Sequence, residues 1–173
     1  MLDFLQTILK FLHTQNIPYM LSGSVAMSIY TIPRSTRDFD FIVNLQLNNI
    51  ETLLQAFKEG YYCEEDAVNE AVKHRGMFNI IDHASGFKAD FIILKNEPFR
   101  QAEFERRRKI DFFATSVFVV SAEDLLLSKL IWIQQIQSTL QMDDIKNLAL
   151  IETLDWPYIH TWLRLLKLNT LFN

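Results

Sequence analysis

Cysteine occurs once in this chain, at Cys63, which excludes an internal disulfide and fits a reducing compartment. The four histidines (His13, His74, His83 and His160) are scattered, and with a single thiol they form no zinc-binding pattern. Glycine and proline are scarce, at four each, and no flexible linker, repeat or low-complexity tract divides the 173 residues. Positive charge is also short: 17 lysines and arginines against 21 acids leave a net −4. That argues against a general polyanion binder but leaves room for a local basic site. Lys129 interrupts the longest apolar segment, and Met1-Leu-Asp-Phe lacks the basic start of a signal peptide. A cytoplasmic protein with no membrane span is therefore expected. Neither G-x-x-x-x-G-K-[ST] nor G-x-G-x-x-G occurs, which removes the usual P-loop and dinucleotide fingerprints.

Apolar bulk, by contrast, is plentiful. Hydrophobic residues make up 49% and include fourteen phenylalanines, enough to fill the core of one domain spanning residues 1–173. Leu2, Leu5, Ile8, Leu9 and Leu12 recur at helical spacing, ahead of Pro18. A short strand at 19–21, a helix at 25–31 and a strand at 38–43 follow. Helices are expected over about 47–58 and 64–74, and strands over 77–81 and 87–94, joined by Asp82-His-Ala-Ser-Gly86. A helix from Pro98 runs to the Arg106-Arg-Arg-Lys109 cluster, and short strands cover 110–113 and 117–120. Ser121 with Asp124 suits a capping box for the helix that carries Lys129. Two further helices occupy 143–168. The expected fold is α/β (α+β): a mixed sheet with flanking helices over about 1–120, and a helical C-terminal end over about 121–173.

The stretch Met20–Asn44, MLSGSVAMSIYTIPRSTRDFDFIVN, organises the rest. Asp38 and Asp40 lie two apart on a strand, so they share a face while Phe39 and Phe41 turn the other way. Two such charges repel by about 3 kcal/mol at about 5 Å with an effective dielectric near 20. A cation between them, a proton on one, or arginine neutralisation would relieve that. Magnesium is the hard ion that favours carboxylate oxygens and brings substrate phosphates with it. Gly23 permits a sharp turn, and Ser22 or Ser24 can cap the next helix, whose free N–H groups attract an anion.

A small-residue turn, thirteen residues from Val25 to Arg37, then Asp-apolar-Asp-apolar: this combination resembles the signature of the polymerase-β-like nucleotidyltransferase superfamily. Gly23-Ser-Val-Ala26, Arg34-Ser-Thr-Arg-Asp38 and Ser121-Ala-Glu-Asp-Leu125 with Lys129 are similar to small stand-alone prokaryotic members. Some relatives of those are toxins of abortive-infection and toxin–antitoxin systems. The resemblance implies transfer of an NMP from an NTP to a hydroxyl on RNA, a protein or a small molecule. It also implies two Mg2+ ions with the bound NTP, and allows a cognate antitoxin or a second copy as partner. Asp38, Asp40 and a third acid would hold the ions, and Gly23 and Ser24 the phosphates. A non-catalytic nucleotide-binding or protein-interaction module of the same fold is the alternative.

Asp90, ahead of Phe91-Ile-Ile-Leu94, is the candidate third acid, with Asp82 and Asp111 in reserve; pairing with Lys88 or Arg75 is its bland explanation. Lys129 either snorkels out of its apolar surroundings or meets an anion, and in the family a lysine on this helix reaches the triphosphate. Arg34 and Arg37 either hold phosphate oxygens by forked contacts or balance Asp38 and Asp40. Asp143 and Asp144 suit a helix-start cap, and Cys63 a small hydrophobe. The basic run 106–109 suits a helix C-terminus better than an RNA contact. Trp132, Trp156 and Trp162 give the C-terminal end an aromatic surplus that a partner could cover.

Overall fold

Alternation along strand β2 (Asp38–Val43) sets the two faces of the structure: Phe39, Phe41 and Val43 are buried, while Asp38, Asp40 and Ile42 look the other way. The computed structural model describes residues 2–33, 35–112, 115–136 and 138–170. The elements run α1 (Leu2–Thr14), β1 (Tyr19–Ser22), α2 (Gly23–Tyr30), β2, α3 (Ile50–Ala56), β3 (Tyr61–Tyr62), α4 (Glu65–His74), β4 (Met77–Asp82) and β5 (Lys88–Ile93). They continue as α5 (Pro98–Glu105), β6 (Arg108–Phe112), β7 (Thr115–Val119), α6 (Ala122–Ile133), α7 (Thr139–Ala149) and α8 (Trp156–Leu165). The seven strands form one mixed sheet in the order β3-β4-β5-β2-β1-β7-β6. β2 lies antiparallel to β1, the strand before it in the chain, and parallel to β5, about fifty residues further on.

One sheet face is aromatic. Phe91 stacks on Phe41 with centroids 5.6 Å apart and on Phe78 at 5.1 Å. Around them pack Phe4, Ile8 and Leu12 of α1, Leu53 of α3 and Val68 of α4. Each such side chain, fully buried, contributes about 1.5–3 kcal/mol, so this layer fixes the strand register from behind the site. The other face packs Met20 and Val120 against α2, α5 and the C-terminal helices.

α6 is buried nearly all round, and Asp124 at its start anchors its neighbours. This carboxylate, 0% exposed, accepts from Arg106 Nε at 3.1 Å, Tyr158 Oη at 2.6 Å and Ser121 Oγ at 2.6 Å. Ser121 Oγ in turn accepts from the Asp124 N–H, so Ser121 caps the helix as its sequence suggests. Tyr158, whose hydroxyl burial pushes well above its usual range, also lies beneath the Arg106 guanidinium at 3.9 Å. The basic run is therefore divided: Arg106 is structural, Arg107 lies over Phe104 and Phe118, and Arg108 and Lys109 are on β6.

Some boundaries differ from expectation. The helix read over 47–58 begins as a 3-10 turn at Leu47–Asn49 and ends at Ala56. The Tyr61–Tyr62 strand was not apparent, since two residues carry no periodicity; pairing with Ile81 and Asp82 creates it. The strand expected over 110–113 starts earlier, at Arg108, and Phe113 lies outside the described residues.

Candidate active site

The ladder pairing puts four polar side chains in one row. Ser22 of β1 faces Asp40 of β2, Asp40 faces Asp90 of β5, and Asp90 faces Asn79 of β4. Directly opposed residues share a face, with Cβ atoms about 4.5–5.5 Å apart. Asp38 and Lys88 form the next pair on the same face. Asp38, Asp40 and Asp90 thus stand together on the sheet face away from the phenylalanines. Asp90 is the third residue of its strand rather than its opening one, because Lys88 extends the ladder.

Their charges are only partly met. Lys88 Nζ is 2.9 Å from Asp90 Oδ2 and 3.9 Å from Asp38 Oδ1, so the pairing of Asp90 with Lys88 weighed from the sequence is present. The hydrogen bond with Asp90 raises the Lys88 pKa above the usual lysine range. Asp90 Oδ1 is buried with no hydrogen-bond partner among the described residues. Burial, and then the nearby charges of Asp90 and Asp38, raise the Asp40 pKa above its ordinary value, with Lys129 and Lys88 pulling the other way. Among the described residues, no group of three His, Cys, Asp or Glu side chains forms a ready-made metal site. The donor set is nevertheless hard oxygen, one oxygen is orphaned, and an ammonium lies between two of the acids. Those features suit a hard divalent cation.

Gly23 explains where Asp40 points. Its φ is +62°, and a Cβ built on it would lie 1.8 Å from Asp40 Oδ2. The carboxylate rests directly on the glycine, in space that any other residue would fill. Of the two serines that could cap α2, Ser22 holds the N-cap position, but its side chain makes no capping bond. Beyond the turn a cavity of about 530 Å³ opens between the sheet and the helices, bordered by Ser22, Gly23, Ser24, Asp40, Lys129 and Trp132.

Lys129 does not snorkel. It is 6% exposed, and Nζ donates to Asp144 Oδ2 at 2.8 Å and Gln141 Oε1 at 3.0 Å. Asp144 is buried within α7 and is no helix cap. Asp144→Ala strands that ammonium and is expected to destabilise the fold by about 3–5 kcal/mol, read as a lower denaturant midpoint. A loss below about 1 kcal/mol would mean that Lys129 reaches water instead.

Arg37 is exposed, and its carbonyl accepts from the Lys88 N–H at 3.0 Å; Arg34 lies outside the described residues. Asp82 is excluded from the site, because it falls on the aromatic side of β4 and spends its carboxylate on Ala84 and Ser85 of the turn. Asp111 is on β6, at the sheet edge three strands from β2. Arg75 donates to the Leu94 carbonyl and leaves Asp90 to Lys88. Asn79 and Ser22 are row members that sequence reasoning missed; only the pairing register reveals them.

A family model described as nucleotidyltransferase of unknown function (DUF6036) matches residues 1–168. The chain belongs to this nucleotidyltransferase family. Its fold recurs in solved structures. One is the lincosamide antibiotic adenylyltransferase LnuA in its lincomycin-bound form, at 18% identity and TM-score 0.54, covering 85% of this chain and 95% of that one. Another is ANT(2")-Ia in complex with adenylyl-2"-tobramycin, at 12% identity and TM-score 0.63, covering 95% of each chain. A third is an antigenic nucleotidyltransferase-like protein from Paracoccidioides brasiliensis, at 17% identity and TM-score 0.53, covering 82% and 72%. No curated protein sequence matches. At these identities the structures speak for the fold. Among the described residues of this family member, no helix is long and apolar enough to cross a membrane.

Cys63 takes no part in the row. Burial, then the charge of Glu64, push its thiol up to about 11. Iodoacetamide at pH 8 is expected to alkylate it on the order of a hundredfold more slowly than a free thiol. Labelling at the free-thiol rate would contradict that environment.

Proposed function

We propose that this chain works as a single-domain, Mg2+-dependent nucleotidyltransferase that moves an NMP from an NTP to a hydroxyl acceptor. What carries this is the register that sets Asp40, which borders the cavity beginning at Gly23, beside Asp90, with Asp38 next to them and Asp90 Oδ1 left without a partner among the described residues.

Asp38 and Asp40 would hold the magnesium ions together with Asp90. Mg2+, when bound, supplies positive charge to the phosphoryl group in transfer. The start of α2, where Ser22 makes no capping bond, offers backbone N–H groups to the triphosphate oxygens. Lys129 borders the same cavity and adds its charge there, and Arg34 and Arg37 are the further candidates for phosphate contact. Asp90 Oδ1 orients the acceptor hydroxyl and takes its proton. The acceptor oxygen bonds to the α-phosphorus, the bond from that phosphorus to the bridging oxygen breaks, and pyrophosphate leaves. Catalysis rests on positioning and neutralised charge.

The cavity volume lies within the range of small-molecule sites, about 300–1,000 Å³. Among the structures of similar fold, one holds lincomycin and another adenylyl-2"-tobramycin, both small molecules. A small molecule is thus the favoured acceptor. RNA or a protein would be expected instead of a toxin held by an antitoxin. The test is incubation with Mg2+, each α-labelled NTP in turn, and cell lysate as acceptor source. Label in the small-molecule fraction supports the favoured acceptor, and label on RNA or protein supports the toxin-like role. Nucleotide binding with no transfer to any fraction would defeat the enzyme reading in favour of a binding module.

A further inference from the structure

The proposed chemistry leaves Lys88 without a task, yet no cation is closer to the acids among the described ion pairs. It stands opposite Asp38 in the ladder, its Nζ is 2.9 Å from Asp90 Oδ2 and 3.9 Å from Asp38 Oδ1, and its side chain is 33% exposed. A lysine in contact with two of the three carboxylates is more than a surface ion pair, because the amine lies among the groups that a divalent ion would have to join. Lys129 cannot substitute for it: that ammonium is buried and committed to Asp144 and Gln141. Asp90 Oδ1, in contrast, stays buried and unbonded beside the Lys88 contact. The acid row is thus partly neutralised by a movable charge and partly left open.

We propose that Lys88 is the built-in counter-ion of the acid row, which a divalent cation must displace, so that metal and nucleotide load together rather than metal alone. This rests on the transferase reading. A lysine is a point charge on a flexible stem, so it can leave two carboxylates without dragging a planar fork through the site. A metal arriving alone competes with that amine. If the amine holds the acids about nine-tenths of the time, apparent metal affinity falls about tenfold. A triphosphate changes the balance by giving the displaced ammonium a new anionic partner, and by linkage the metal then strengthens nucleotide binding equally.

Mn2+ binding by titration calorimetry, with and without a non-hydrolysable ATP analogue, tests this on wild type, Lys88→Met and Lys88→Arg. Without nucleotide, Lys88→Met is expected to bind Mn2+ on the order of tenfold more tightly than wild type, and the gain in affinity caused by the analogue is expected to shrink by the same factor. Lys88→Arg keeps the charge but on a planar fork that leaves two carboxylates less readily, so without nucleotide it should bind Mn2+ no more tightly than wild type. Melting checks the fold: Lys88→Met should melt lower than wild type without metal and gain more from Mn2+. Mn2+ binding by Lys88→Met that is no tighter than wild type overturns the inference and leaves the transferase reading standing. Absence of Mn2+ binding by all three proteins, even with the analogue, overturns that reading and the inference with it.

Discussion

Asp40→Asn is expected to cut nucleotidyl transfer by roughly a thousandfold or more while leaving a folded protein. Asp40 is the centre of the row, between Ser22 and Asp90, and its carboxylate both borders the cavity and lies against Gly23. Asparagine keeps the shape and removes the charge. Stability should move the other way. The folded-state pKa of Asp40 is raised, first by burial and then by Asp90 and Asp38, so its ionised form is disfavoured by folding. A carboxyl with a raised pKa favours the fold at low pH and works against it once ionised, so the neutral amide should be at least as stable as wild type at pH 7. Single-turnover transfer with thermal melting at pH 7 reads both effects. Transfer within tenfold of wild type would remove Asp40 from the chemistry, and a large drop in melting temperature would contradict the repulsion described for the row.

Gly23→Ala is expected to be the second most damaging change. An L-residue in the left-handed region costs about 1–2 kcal/mol from backbone sterics alone. Gly60 and Gly86 have positive φ too, at 83° and 69°, yet nothing lies within 4 Å of a Cβ built on either. Alanine at those two positions should show the backbone cost and little more. At Gly23 the added carbon meets Asp40 Oδ2 at 1.8 Å and Cγ at 2.5 Å, so the carboxylate has to swing off the row. All three variants should lose stability, and only Gly23→Ala should also lose transfer, by on the order of a hundredfold or more, as for a misplaced reacting group. Equal activity in the three would show that the placement of Asp40 against the turn is immaterial.

The part of the candidate site that was legible in the sequence is the part whose signals are local. The shared face of Asp38 and Asp40 follows from a spacing of two, and the Ser121 cap from a spacing of three. Asp90 could be proposed from its place ahead of an apolar strand, but its alignment with Asp40 depends on a parallel pairing fifty residues away, which no local pattern encodes. The same holds for Asn79 and Ser22. Lys129 shows the limit from the other side: a lysine among leucines reads as amphipathic, and only the approach of α7 supplies the Asp144 that keeps it buried. Ser22, one of the two serines that suited the cap of α2, takes the N-cap position without making the bond. The chain extends into the helix there without turning the hydroxyl onto an N–H.

The aromatic layer behind the row has one more consequence. Sliding β5 by a single residue against β2 would swing Asp90 into the stack of Phe41, Phe78 and Phe91, and turn Phe91 out toward the polar side. Burying a bare carboxylate among rings while wetting a phenylalanine is a mistake that the folding chain cannot keep. The greasy side of the sheet therefore proofreads the acidic side. A molecule that has completed its hydrophobic layer has, by that act alone, brought its acids into line.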